Sequence, residues 1–147
     1  MIQRIQTLFM LAAGMLIGSL YLQKFADIIV NDQLHIFNAF GIFKDEELLF
    51  SGLPLMILIG IIAVLHLVAL FLYKKRILQI RILAFTIILM LGLFGLFFYF
   101  TYASFEEVKV AFKVAVALPL VCVILDWLAI RAIGKDEALV RSLDRIR

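Results

Sequence analysis

Two titratable residues interrupt the long apolar stretches of this sequence. Asp126 stands within VCVILDWLAIR and His66 within IAVLHLVAL. A carboxylate at the centre of a bilayer costs about 2.5–3.5 kcal/mol on insertion scales, so such a residue faces other helices or a polar cavity. A helix rises about 1.5 Å per residue, so His66 and Asp126 each lie about 7–13 Å along the helix from the basic residues that follow them. These basic residues include Lys74 after His66 and Lys135 after Asp126. We therefore expect Asp126 and His66 to meet at one depth.

The sequence leaves two interpretations of this pair open. An acid and an imidazole inside a membrane can relay protons or bind an ion. They can equally form a polar clasp between two helices, and Asp126 can instead reach Arg81, at the start of the third apolar segment. One acid and one histidine do not make a transport pathway, and the sequence lacks the internal repeat typical of transporters.

Motifs of other functional classes are missing from the sequence. It contains no H-E-x-x-H, G-x-S-x-G or P-loop motif, and its one cysteine, Cys122, has no metal-binding partner at the usual spacing. No basic run resembles a nucleic-acid site. We therefore expect no enzyme activity, no catalytic residue, no metal or other cofactor, and no nucleic-acid partner.

Four apolar segments must position Asp126 and His66. Of 147 residues, 65% are hydrophobic and 17% are charged, whereas a soluble domain carries about a quarter charged residues. About 20 apolar residues cross the hydrocarbon core as one helix. The sequence predicts an all-α membrane protein that forms one domain, residues 1–147, with helices at about 5–22, 53–73, 82–102 and 105–133.

The fourth helix is expected to begin outside the membrane. Ser104 and Glu107 match the S-x-x-E capping box, which puts the helix start at Phe105. Pro119 would then lie in the helix interior and kink it. Before this helix, the aromatic residues 97–102 stand where an outer aromatic belt belongs.

The segment between the first two helices, residues 23–50, predicts a small external hairpin. Residues 28–30 and 33–37 are apolar runs on either side of Asn31-Asp32, which tolerates the positive φ of a tight turn. A lone hairpin is marginal in water, so we expect it to pack on the helix ends.

The distribution of lysine and arginine predicts the orientation. One basic residue precedes the first helix, four lie between the second and third, and five lie at or after the end of the fourth, whereas the two loops on the opposite side carry two each. Basic residues accumulate on the cytoplasmic side of membrane proteins. We therefore expect both termini in the cytoplasm and the hairpin outside the inner membrane of a bacterium.

The last segment, residues 134–147, is charged and amphipathic. Gly134 suits a helix end, and a short new helix would then share one face among Leu139, Leu143 and Ile146. Such a helix can lie on the inner leaflet, dock on a cytoplasmic partner, or simply anchor the orientation. Contact with anionic headgroups would come from Arg141, Arg145 and Arg147.

Gly14 and Gly18 in the first helix form a G-x-x-x-G pattern. Such a pattern lets another helix approach closely. The approaching helix can belong to the same chain or to a second copy in a homodimer.

The ends of the chain resemble a known family. The similar stretches are MIQRIQT at the start, RILQIRI in the middle, LPL in the fourth helix and RAIGKDEALVRSLDRIR at the end. They resemble the domain of unknown function 4293 family, small membrane proteins of Bacteroidota. The resemblance implies a four-helix inner-membrane protein, and it provides no activity and no catalytic residue.

These patterns favour a non-enzymatic accessory or scaffold subunit of the inner membrane. It would contact membrane lipids and a membrane-protein partner or a second copy. One alternative is a small proton- or ion-coupled permease that uses Asp126 and His66. Another is a protein that binds anionic lipids through Lys74-Lys75-Arg76 and the C-terminal segment.

Overall fold

The computed structural model describes residues 3–30, 33–45, 47–103 and 109–144, and it combines a bundle of helices with an antiparallel sheet. Short 3-10 helices precede the sheet at Leu20–Leu22 and precede the last long helix at Val114–Ala117. Four helices are long and apolar enough to cross a membrane. They are α1 (Gln3–Ser19), α2 (Leu53–Phe71), α3 (Arg76–Ala103) and α4 (Leu118–Asp144).

The sheet has five strands in the order β4-β3-β2-β1-β5, and all neighbours are antiparallel. Four strands follow one another between α1 and α2, whereas the fifth comes from the connection between α3 and α4 and pairs with the first, Asp27 opposite Ala111. The strands are β1 (Lys24–Val30), β2 (Gln33–Asn38), β3 (Gly41–Lys44), β4 (Glu47–Ser51) and β5 (Lys109–Phe112).

The predicted all-α fold class is wrong, because the described residues form a five-stranded sheet and not one small hairpin. β1 and β2 do pair, with Ile28 opposite His35, and the expected turn at Asn31-Asp32 lies outside the described residues. β3, β4 and β5 have only four or five residues each. Runs this short do not show a clear alternation of apolar and polar residues, and they become stable only by pairing with their neighbours.

One glycine in the turn from β2 to β3 is required by the backbone. The Asn38 carboxamide oxygen accepts hydrogen bonds from the backbone N–H groups of Phe40, at 2.9 Å, and Gly41, at 3.2 Å. Gly41 has a φ of 140°, and a Cβ on it would lie 2.0 Å from the Phe50 carbonyl oxygen. A side chain at this position would push β4 away from β3.

The last helix is displaced along the chain from its predicted range. The expected capping box at Ser104 and Glu107 lies outside the described residues, and the chain from Lys109 to Phe112 is strand β5. Because α4 begins at Leu118, Pro119 lies in its first turn, where a missing N–H breaks no helical hydrogen bond. The expected kink inside the helix therefore has no cause.

α4 also continues past the position where the sequence predicts its end. Gly134 is helical, and the helix runs on to Asp144. The segment after Gly134 is thus an extension of α4 and not a separate helix. Tertiary contacts override the weak helix propensity of one glycine, which is about 1 kcal/mol.

The inner face of the sheet rests on the ends of the helices. Phe25 of β1, Phe37 of β2 and Phe97 of α3 are fully buried. The ring of Phe25 lies 4.5 Å from that of Phe97 and 5.3 Å from that of Phe37, centroid to centroid. Phe97 therefore belongs to the core, whereas Tyr99 and Tyr102 of the expected aromatic belt are exposed.

Candidate functional site

A polar cluster of three side chains joins three helices inside the bundle. Both carboxylate oxygens of Asp126, on α4, lie 3.1 Å from Nε2 of His66, on α2. The hydroxyl of Thr86, on α3, donates a hydrogen bond of 2.8 Å to Oδ2 of Asp126. Asp126 and Thr86 are 0% exposed, and His66 is 1% exposed. The cluster is therefore enclosed by protein.

The hydrogen bonds of His66 determine where the protons lie. Its Nδ1 is 2.9 Å from the Ile62 carbonyl oxygen, which can only accept, so Nδ1 carries a hydrogen. Nε2 faces the Asp126 carboxylate, and a bond between them requires one more proton, on either Nε2 or the carboxyl group. The pair thus shares one proton, and its total charge is zero in either arrangement.

Helical periodicity brings these residues together. Cys122, Asp126, Ala129, Ile133 and Asp136 lie three or four residues apart and form the buried stripe of α4. The stripes of α2 and α3 include His66 and Thr86 in the same way. Each polar group therefore replaces an apolar residue at a regular core position.

The first helix completes the surroundings of the polar cluster. A Cβ on Gly14 would lie only 3.3 Å from Cβ of His66, so the glycine permits the close approach of α1 to α2. The thiol of Cys122 lies 3.6 Å from the Ala13 carbonyl oxygen. At Gly18, by contrast, an added Cβ would meet nothing within 4 Å. The close contact at the G-x-x-x-G pattern is thus made by Gly14, within the chain.

Arg81 does not take part in the polar cluster. It is exposed and lines an open cleft of about 710 Å³ at the end of the bundle where α1 begins and α4 ends. The same cleft is lined by Lys74, Lys75, Arg76 and Glu137. We call the open space between these four residues and Arg81 the basic cleft. Arg76 lies 3.9 Å from the Glu137 carboxylate on α4.

Two further polar contacts at this end were missed by the sequence analysis. The side-chain amide of Gln6, on α1, donates to the buried Asp136 carboxylate on α4. The amide of Gln79, on α3, donates to the Ala69 carbonyl oxygen at the end of α2, at 2.9 Å. The position of Asp136 on the buried stripe of α4 could have predicted its burial. The sequence analysis did not extend this stripe past Gly134, because it predicted that the helix ends there.

The C-terminal residues chosen from the sequence are only partly described. Leu139 is exposed and lines a groove of about 390 Å³ with Ile5 and Leu128. The structure describes no side-chain surroundings for the other residues of the proposed contact face. These are Arg141, Leu143, Arg145, Ile146 and Arg147.

The sheet turns a second apolar surface away from the helices. Residues directly opposite each other on neighbouring strands share a face, and the register pairs Ile29 with Leu34, Ile36 with Phe43, and Phe43 with Leu48. We call these five residues the outer face. Ile29, Leu34 and Leu48 are 41%, 54% and 52% exposed. Asp27, opposite Ile36, lies on the same side of the sheet and forms an ion pair of 2.5 Å with Lys113.

Comparison with known proteins assigns the chain to a family. A family model described as a domain of unknown function (DUF4293) matches residues 2–146. The chain belongs to this family. No curated protein and no solved structure matches it. The function of this DUF4293 protein must therefore be argued from its own geometry.

The geometry of the DUF4293 chain limits what each site can do. The described residues contain no group of three or more His, Cys, Asp and Glu side chains that could hold a metal ion. The polar cluster can form hydrogen bonds and share a proton, but its side chains have almost no exposed surface for a solute. Among the described residues, the outer face and the basic cleft are open to other molecules.

Proposed function

We propose that this protein is a non-enzymatic accessory or scaffold subunit of the bacterial inner membrane, and that it binds a partner protein through the outer face. The observation that carries the proposal is the exposure of Ile29, Leu34 and Leu48 on one side of an ordered sheet. Contiguous apolar surface outside the membrane is characteristic of protein interaction sites. The sheet is held to the helices by its buried inner face, so it presents this surface rigidly.

The orientation in the proposal follows the basic residues. The basic cleft and the C-terminal residues lie at one end of the bundle, and the sheet lies at the other. Under the positive-inside rule the first end is cytoplasmic and the sheet is external. The partner would then be an external domain of another membrane protein of Bacteroidota, the group that the family resemblance implies.

A permease centred on Asp126 and His66 is the second candidate function. The observation in its favour is the proton shared between the two side chains. Against it, the cluster is enclosed, and none of the described residues leaves a buried side-chain nitrogen or oxygen without a partner. Saturated hydrogen bonding favours the structural clasp, because a transport site needs room and unsatisfied groups for its solute.

Photo-crosslinking tests the accessory function. A photoreactive amino acid at Leu34 samples the outer face, and one at Val114, which is 82% exposed outside that face, serves as the control. We expect one discrete adduct with a different protein from Leu34 and none from Val114. That protein should co-purify with the chain in a fixed ratio in mild detergent.

A pair of double variants tests whether the outer face itself holds the partner. Ile29→Ser with Leu48→Ser should release the co-purifying protein. Leu22→Ser with Leu53→Ser removes two exposed leucines elsewhere and should retain it. The proposal is overturned if Leu34 yields only lipid adducts, or a product of twice the mass of the chain, which would mean a second copy.

A further inference from the structure

Among the described residues that line it, the basic cleft has more positive than negative charge. Four cations line it, from Lys74, Lys75, Arg76 and Arg81, together with one carboxylate, from Glu137. The Arg76–Glu137 ion pair is loose, at 3.9 Å, and both side chains are partly exposed. One carboxylate cannot balance four cations, so the cleft attracts anions from its surroundings.

The backbone adds to this positive potential. The cleft is lined by Arg76, Ile77 and Leu78, which form the first turn of α3. The N-terminus of a helix carries a partial positive charge and free N–H groups. Charged side chains and backbone therefore favour a compact anion such as phosphate.

The wall of the cleft also includes apolar side chains. Ile77, Leu78 and Val140 line it and are exposed. A free phosphate ion would leave these groups in water, whereas a phospholipid would cover them with its glycerol and acyl chains. The cleft also lies where α2 ends and α3 begins, which is the headgroup level for helices that cross the bilayer.

We infer that the basic cleft binds the phosphate of an anionic phospholipid. Arg76 and Arg81 provide planar donors for the phosphate oxygens, and Lys74 and Lys75 add charge at the rim. Glu137 competes with the phosphate for Arg76. This site is at the opposite end of the bundle from the outer face, so it is independent of the proposed accessory function, and either can fail alone.

Native mass spectrometry of the full chain in neutral detergent tests this inference. The probes are phosphatidylglycerol, phosphatidylcholine with the same acyl chains, and inorganic phosphate. We expect the chain to retain phosphatidylglycerol at least tenfold better than phosphatidylcholine, on the order of the effect of one to two cations at about 1 kcal/mol each. Inorganic phosphate should displace the lipid only at far higher concentration.

Charge variants identify the site. Arg76→Gln with Arg81→Gln should weaken phosphatidylglycerol binding by about thirtyfold, which corresponds to two such cations. Lys24→Gln with Lys44→Gln removes the same charge at the sheet end and should leave binding unchanged. Glu137→Gln removes the competing carboxylate and should strengthen binding, a gain that misfolding cannot produce.

Three results would overturn the inference. Equal retention of the two lipids would mean that the cations only determine orientation in the membrane. Equal loss in the Arg76/Arg81 and Lys24/Lys44 variants would mean that net charge, and not the cleft, attracts lipid. Phosphate binding as tight as that of phosphatidylglycerol would assign the cleft to a free anion.

Discussion

At the scale of single residues, the proton shared by Asp126 and His66 can be used to distinguish a structural role of the pair from a role in proton transport. The Asn carboxamide has the shape of the carboxyl group, and its NH₂ can donate to Nε2 of a neutral His66 while its oxygen accepts from Thr86. Asn therefore preserves each hydrogen bond of the cluster but cannot release or accept the shared proton. Leu keeps the volume but leaves His66 and Thr86 without this partner.

Asp126→Asn should change the free energy of unfolding by less than about 1 kcal/mol, and Asp126→Leu should lower it by about 1–3 kcal/mol, the cost of unsatisfied buried polar groups. Unfolding with sodium dodecyl sulfate in mixed micelles measures both. Equal losses in the two variants would contradict the clasp. So would a proton flux into proteoliposomes that wild-type protein supports and Asp126→Asn abolishes, since that result belongs to a permease.

The sequence carries enough information to bring Asp126 and His66 together, because helix geometry determines their depth and both lie on apolar stripes. It gives Thr86 as a polar group nearby but not its bond to Asp126, since a threonine in an apolar helix usually satisfies its own hydroxyl on the backbone of the previous turn. In Thr86 the single hydroxyl hydrogen is shared, because the Leu83 carbonyl oxygen and Oδ2 of Asp126 each lie 2.8 Å from the hydroxyl oxygen. The alternative contact of Asp126 with Arg81 stayed open because sequence spacing gives the depth of a side chain in the bundle but not the direction in which it points.

At the scale of elements, the sheet depends on pairing between distant parts of the chain. β5 has four residues, and two long apolar helices, α2 and α3, separate it in the chain from its partner β1. Local patterns do not reveal such a pair of strands. The residues around β5 also match the pattern of a helix that starts at Phe105, which is what the sequence analysis predicted. The same limit applies to α4. Local propensity predicts a helix end at Gly134, whereas the helix continues past it and Asp136 contacts Gln6 of α1.

A disulfide tests the pairing of β1 with β5. In a Cys122→Ala background, Asp27→Cys with Ala111→Cys places two thiols directly opposite each other, and antiparallel partners have Cα atoms about 4.5–5.5 Å apart, which a disulfide can span. We expect rapid oxidation, seen as a mobility shift that a reductant reverses.

Asp27→Cys with Val110→Cys is the matched control for that experiment. Val110 is adjacent in the chain but points to the other face of the sheet, opposite Ile28. This pair should oxidise slowly. If both pairs oxidise at the same rate, the segment at 109–112 is not held as the antiparallel neighbour of β1.

At the scale of the whole molecule, the two ends of the bundle have different chemistry. One end carries the sheet and the outer face, and the other carries the basic cleft and the Gln6–Asp136 contact. The four apolar helices between them are compatible with a multi-pass membrane protein. An accessory subunit with this architecture would recognise protein on one side of the membrane and lipid on the other.

Cysteine labelling of intact spheroplasts tests the proposed orientation. In the Cys122→Ala background, a membrane-impermeant maleimide should label Gln33→Cys, which is exposed on β2, and should reach Ser142→Cys, near the end of α4, only after lysis. The difference should be close to complete, because the proposed orientation puts the two sites on opposite sides of the bilayer. Labelling of Ser142→Cys before lysis would show that the orientation is opposite to the one proposed.

The position of β1 between β2 and β5 also has a consequence for how the protein is made. When the ribosome has produced only α1, the first four strands and α2, one edge of β1 has no neighbour, and its N–H and C=O groups are bonded to water alone. This edge gains its neighbour only when the connection between α3 and α4 reaches the sheet, and the four-residue β5 then replaces the seven-residue β1 as the edge strand. The β1–β5 ladder therefore links completion of the sheet to correct placement of the last two helices. A nascent chain with a misplaced helix pair would keep the longer strand as its open edge, the kind of surface that quality-control chaperones and proteases act on.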